Sequence, residues 1–135
     1  MKDALKVAVK AVDDKKASDL VVLDISGIAS FADYFLLCSG DSSRQIQAIA
    51  DEVEERLRGE GLRPTHVEGY RNAEWVLMDY VDLVVHIFSR KARAYYDLER
   101  LWRDGKRIDP EKLLSEKAAA KSQKKTRRTT RKDAS

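Results

Sequence analysis

Residues 74–89 read EWVLMDYVDLVVHIFS, and the fold turns on how this stretch is understood. Two runs rich in β-branched and aromatic residues flank a short acidic break, the pattern of two strands folded back on each other near Tyr80-Val81. With a two-residue turn, Asp79 sits opposite Asp82 and Trp75 opposite His86. Side chains alternate between faces along a strand, and cross-strand partners share a face. One face then carries Val76, Met78, Leu83, Val85 and Ile87, all apolar. The other carries Trp75, Leu77, Asp79, Asp82, Val84, His86 and Phe88. The apolar face belongs against helices. A face mixing a Trp, a His and two carboxylates with aliphatic residues fits contact with another macromolecule, since Trp is a common interface anchor. The blander alternative has Trp75 and His86 stacked beneath a helix of the same chain, with Asp79 and Asp82 as turn residues.

On the N-terminal side, DLVVLDI (19–25) is an unbroken β-prone run that predicts a buried strand, and ADYFLLCS (32–39) predicts a second. The intervening stretch SGDSSRQIQAIADEVEERLRGEG (39–61) holds a helix. Ser42 with Gln45 fits a capping box, Gly59 and Gly61 mark the far end, and Ile46, Ile49, Ala50, Val53 and Leu57 form its buried stripe. A shorter helix is predicted over 3–13, with Leu5, Val9 and Val12 on one side, and a brief strand around 65–68. Beyond the hairpin, a third helix runs from 91 or 92 to about 103, with Tyr95, Leu98 and Trp102 on its core stripe and Gly105 as its stop. Asp109-Pro110 opens a further helical turn. The order α-β-β-α-β-β-β-α implies an α/β layer: a mixed five-stranded sheet with helices packed on one side of it.

The totals narrow the function classes. A chain of 135 residues makes one domain with a real core, and no apolar run reaches the ~20 residues of a membrane span. Its beginning lacks the composition of a signal or transit peptide. The single Cys38 excludes an internal disulfide framework and fits a reducing cytoplasm. Of the net charge of +3, residues 115–135 supply +6, from eight Lys/Arg against Glu116 and Asp133. Residues 1–114 therefore form a mildly acidic domain at −3, suited to a basic partner surface. Residues 115–135 are read as a basic, disordered tail, able to make a weak, sequence-independent contact with ribosomal or other RNA or simply to keep the protein soluble.

Catalytic readings find little support. The segment Ser39-Gly40-Asp41-Ser42-Ser43-Arg44 leads from a strand into a helix, where exposed amides can hold phosphate. Metal-dependent phosphoryl transfer would also need carboxylates at i, i+2 on a neighbouring strand, and Asp41 would repel a triphosphate. A helix cap is the commoner use of such a segment. The two histidines, His66 and His86, lack metal-ligand spacing, and Asp82 and His86 stand ~13 Å apart along an extended strand. Cys38 in an apolar run reads as an inert thiol. Asp24 and Asp33 near strand ends are read as turn carboxylates rather than acids or bases. We expect no catalytic residue, no cofactor and no metal.

DLVVLDI (19–25), SFADYF (30–35), SGDSSR (39–44), WVLMDYVDLVVHIF (75–88) and YYDLERLW (95–102) together resemble the ribosomal silencing factor (RsfS, Iojap) family over roughly residues 2–103. The resemblance implies a nucleotidyltransferase-like domain without the catalytic carboxylates. It implies binding to the free large ribosomal subunit through large-subunit ribosomal protein fourteen, on the face that meets the small subunit. Subunit joining would thereby be blocked and translation repressed when nutrients are scarce. Trp75, Asp79, Asp82 and His86 match the family's hairpin residues, and with Leu77, Val84 and Phe88 they form the expected contact. One departure stands out: the family has glycine before the second hairpin aspartate, where this chain has Val81. A nucleotide-binding enzyme and a ribosome assembly factor led by the tail are the competing readings, and a dimer is one arrangement open to the free protein.

Overall fold

The computed structural model describes residues 2–115. Helix α1 spans Lys2–Asp14 and leads into strands β1 (Ser18–Asp24) and β2 (Tyr34–Gly40). Helix α2 (Ser43–Gly59) follows, then β3 (His66–Glu68), β4 (Trp75–Asp79) and β5 (Leu83–Ser89). Two short helices, α3 (Arg90–Tyr96) and α4 (Leu98–Leu101), precede β6 (Lys106–Ile108), and residues 110–115 are helical again. The strands form one sheet in the order β3-β4-β5-β2-β1-β6. β2 and β5 run parallel, joined through α2 and the β3–β4 excursion, and the other neighbours pair antiparallel.

The sheet has six strands rather than the expected five. β6 is three residues long, with only Ile108 apolar, so it leaves no alternation to read. It exists because it adds to the edge of β1, with Val22 facing Ile108 and Leu23 facing Arg107. The expected third helix over 91–103 is also broken in two. Asp97 adopts φ 47°, ending α3 and starting α4. That break lets Leu98 and Trp102 pack on the sheet while Tyr95 is left 80% exposed, so the three do not share one stripe.

Each face of the sheet has its own core. α1 and α2 cover one face, where Leu5, Val9, Val12, Ile46, Val53 and Leu57 meet Leu36, Val76, Met78, Val85 and Ile87. Helices are not confined to that side. On the other face, α3, α4 and the 25–33 loop close over Leu23, Phe35, Leu37, Val84 and Phe88. Half of the expected capping box forms at α2, with Ser42 Oγ accepting from the Gln45 N–H at 3.1 Å, while the return bond goes to the residue before the cap. Gln45 reaches further: its Oε1 accepts from the Asp41 N–H, and its Nε2 donates to the carbonyls of Lys15 and Lys16. The start of α2 is thus tied to the end of α1.

The hairpin register differs from the expected one by two residues. Trp75 faces Phe88, Leu77 faces His86 and Asp79 faces Val84. Because side chains repeat every second residue, an even slip leaves both face assignments intact. The turn residues are Val81-Asp82, closed by the Tyr80 N–H donating to the Leu83 carbonyl at 2.8 Å. Val81 has φ 76°, and the Asp82 N–H donates to the Tyr80 carbonyl at 2.9 Å, a γ-turn. Asp79 Oδ1 accepts from the Val81 N–H at 2.8 Å and pins it.

Candidate functional site

The structure brings the seven hairpin residues expected to form a contact onto one face and then divides them by depth. Val84, His86 and Phe88 are buried, Trp75, Leu77 and Asp79 are half-buried, and Asp82 is exposed at the turn. Val84, His86 and Phe88 are therefore a floor rather than a contact surface. The physical reason is the company they keep: Leu23, Leu37 and Phe35 on neighbouring strands make that face apolar enough to pull α4 and the 25–33 loop over it.

Above this floor lies a continuous series of rings. Phe31 lies edge-on to Trp102 at 5.8 Å between centroids, Trp102 to Phe35 at 5.3 Å, and Phe35 to His86 at 4.7 Å. His86 adjoins Trp75, which meets Tyr96 at 4.5 Å, and Tyr96 meets Tyr95 at 5.0 Å. Phe88 stacks under Trp75 at 5.3 Å, with the Arg93 guanidinium 6.0 Å from its centre. The outer members of the series face solvent: Phe31 is 58% exposed, Tyr95 80% and Tyr96 44%. Exposed aromatic groups held by a packed base lose little side-chain freedom on binding, which favours their use as anchors. Hairpin alternation does not reach Phe31, Tyr95 and Tyr96. The Tyr95-Tyr96 pair beside a helix-breaking Asp97 is the one local signal for them.

His86 sets the electrostatics of the floor. The Trp75 indole Nε1–H donates to His86 Nδ1 at 3.0 Å, so the neutral ring carries its proton on Nε2. Nε2 is buried and has no hydrogen-bond partner. Burial pushes this histidine down to about 4. Protonating Nδ1 would also set two N–H donors against each other, so His86 is a neutral structural group.

Asp24, Cys38 and the 39–44 segment have local structural roles. Asp24 Oδ1 accepts from Ser26 N–H and Oγ, closing a turn. The Cys38 thiol is fully buried and pushed up to about 12 by that burial, which leaves it unreactive. The concavity beside the start of α2, lined by Asp41, Ser42, Ser43, Glu74, Arg90 and Lys91 among others, contains two carboxylates. Arg90 there is engaged by Asp41 at 2.6 Å, so the hollow is poorly charged for a nucleotide. Among the described residues, no group of three or more His, Cys, Asp or Glu could hold a metal ion, and no helix is long and apolar enough to cross a membrane. The basic stretch 116–135 lies outside the described residues.

A family model described as "Ribosomal silencing factor during starvation" matches residues 1–135. The chain is 46% identical over 113 residues to the Ribosomal silencing factor RsfS of Halalkalibacterium halodurans, an alignment covering 84% of this chain and 97% of that protein. It is 46% identical over 108 residues to the protein of the same name from Bacillus subtilis, covering 80% of this chain and 92% of that one. A crystal structure of a Bacillus halodurans protein superposes with a TM-score of 0.72 at 44% identity, covering 81% of this chain and 99% of that chain.

Proposed function

The chain belongs to the ribosomal silencing factor family, and on that premise we propose that it is a non-enzymatic repressor of translation that works by bulk. In this reading it acts in the cytoplasm and docks on the large ribosomal subunit through large-subunit ribosomal protein fourteen. It covers the surface that the small subunit must reach. The fold is then a nucleotidyltransferase-like layer without the paired carboxylates of phosphoryl transfer, put to use as a rigid platform.

The observation that supports the reading most is the exposed aromatic series on a packed base. Phe31, Tyr95 and Tyr96 stand out from the surface while Trp75, Trp102 and Phe35 lock them from below. Trp75, Leu77, Asp79 and Asp82 join them as the accessible part of the hairpin face, with Val84, His86 and Phe88 beneath as supports. Anchors of this kind contribute most where they are central and the surrounding rim excludes water. Asp82 and Asp79 at the hairpin tip give the rim an acidic margin suited to a basic ribosomal protein.

The test is a subunit-association assay read by sedimentation. The wild-type protein lowers the assembled fraction, whereas Tyr95→Ala and Phe31→Ala each weaken that effect about tenfold or more, as expected of anchor residues. Both side chains are largely exposed, so the thermal midpoint stays close to wild type. Undiminished inhibition by both variants would remove the docking face from this surface.

A further inference from the structure

We propose that a second surface, the hollow bounded by Arg100, Arg103 and Arg107, binds the phosphate backbone of RNA. The choice of RNA as the polyanion rests on the ribosomal reading above; the site itself rests on the geometry that follows.

Three arginines from three separate elements line the hollow. Arg100 comes from α4, Arg103 from the turn behind it and Arg107 from the edge strand β6. They border a shallow, open hollow of about 410 Å³ whose remaining lining residue is Asp97. β6 supplies Arg107 because of its pairing: Ile108 packs into the α1–α2 core, so alternation turns Arg107 toward the other face, beside α4. Arg103 Nε donates to the Arg100 carbonyl at 3.4 Å. Asp97 meets Arg100 at 3.4 Å, but the pair is open to solvent, with Asp97 48% and Arg100 74% exposed. So exposed an ion pair is screened and easily exchanged for another anion.

Charge complementarity and the lining identify the occupant. Residues 90–107 carry seven Lys/Arg against three Asp/Glu, a local +4 within a domain whose residues 1–114 total −3. Three arginines beside a single carboxylate leave the lining net positive, which favours a polyanion. The lining consists of four charged side chains with no apolar wall. A protein partner would want an apolar centre to bury. Phosphodiesters need none: phosphate and sugar oxygens take half or more of the hydrogen bonds in nucleic-acid complexes, and the guanidinium fork matches a phosphate bidentately. The contact is thus a positioning one, without base readout. Arg103 directly follows Trp102 of the aromatic series, so a contact here would fix the orientation of a protein whose anchors hold it elsewhere.

The experiment uses the full chain and a fluorescent duplex RNA of mixed sequence, with binding followed by anisotropy across a salt series. Replacing all three arginines by glutamine (Arg100→Gln, Arg103→Gln, Arg107→Gln) should weaken binding about tenfold and lower the slope of log affinity against log salt by about two to three. The matching Arg→Lys triple variant should keep most of the slope. All three positions are exposed, so circular dichroism should be unchanged. If the triple variant loses its fold, Arg103→Gln alone should lower the slope by about one. An unchanged affinity and slope would overturn the proposal. So would displacement of the RNA by polyglutamate as readily as by unlabelled RNA, which would mark a site for acidic protein. Tyr95→Ala should bind RNA as wild type does while blocking subunit joining about tenfold less well, so the two readings fail separately.

Discussion

At the scale of single residues, His86 shows how a titratable group can become part of a core. Its Nδ1 accepts the Trp75 indole proton, and its ring packs between Phe35, Trp75 and Phe88. Burial holds it at about 4 in the folded protein, against an ordinary value of 6.5. Between those limits the unfolded chain binds the proton and the folded chain does not. Stability is therefore intact above about pH 6.5 and falls as the pH drops toward 4, by at most about 3 kcal/mol from this group. Urea midpoints measured from pH 7 down to pH 4 should decline more steeply in wild type than in His86→Gln, whose side chain cannot titrate. Equal slopes would mean that His86 already carries its proton in the fold. The presence of His86 on the mixed face is legible in the sequence. Its depth is not, because the segments that close over this face of the sheet, residues 25–35 and 92–102, lie outside the hairpin.

At the scale of elements, the hairpin was largely legible and its turn was not. Alternation along Trp75–Asp79 and Leu83–Ser89 assigns every side chain to its observed face, since a slip of two residues changes partners without changing faces. The closing pair depends on backbone dihedrals, which alternation does not encode. The same limit explains α3 and α4: Tyr95, Leu98 and Trp102 have helical spacing, but Asp97 turns left-handed between them and sends Tyr95 outward. β6 has no pattern of its own and forms only because β1 offers it an edge. In the turn itself, Val81 holds φ 76°, a conformation that a β-branched side chain resists. Strain of this kind costs about 1–3 kcal/mol, and the extra freedom of glycine in the unfolded chain takes back up to about 1 kcal/mol. Val81 is 55% exposed and contributes little packing. Val81→Gly should therefore raise stability by roughly 1 kcal/mol in chemical denaturation. Glycine keeps the N–H that Asp79 Oδ1 accepts from, so a loss of stability would show that its freedom in the unfolded chain outweighs the relief of the dihedral.

At the scale of the whole molecule, the net charge of +3 is a sum of unlike parts. Residues 1–89 carry ten Lys/Arg against sixteen Asp/Glu, a net −6. The segment 90–107, which lies across the sheet face opposite α2, carries +4, and residues 116–135 add +6. A charge separation of this kind orients an approaching polyanion before contact and raises the association rate more than it deepens the final complex. The basic stretch can then be tested apart from the docking face. A chain ending at residue 115 keeps the buried Leu113 and carries a net charge of −3. If the aromatic face anchors the complex, this shortened protein should still block subunit joining fully at saturating concentration. Its association with labelled large subunits, followed by stopped flow, should be slower at low salt. The gap should close as salt shortens the reach of the field to about 10 Å near 0.1 M. Failure to inhibit at saturation would assign the anchoring energy to residues 116–135 and leave the aromatic face as a surface in search of a partner.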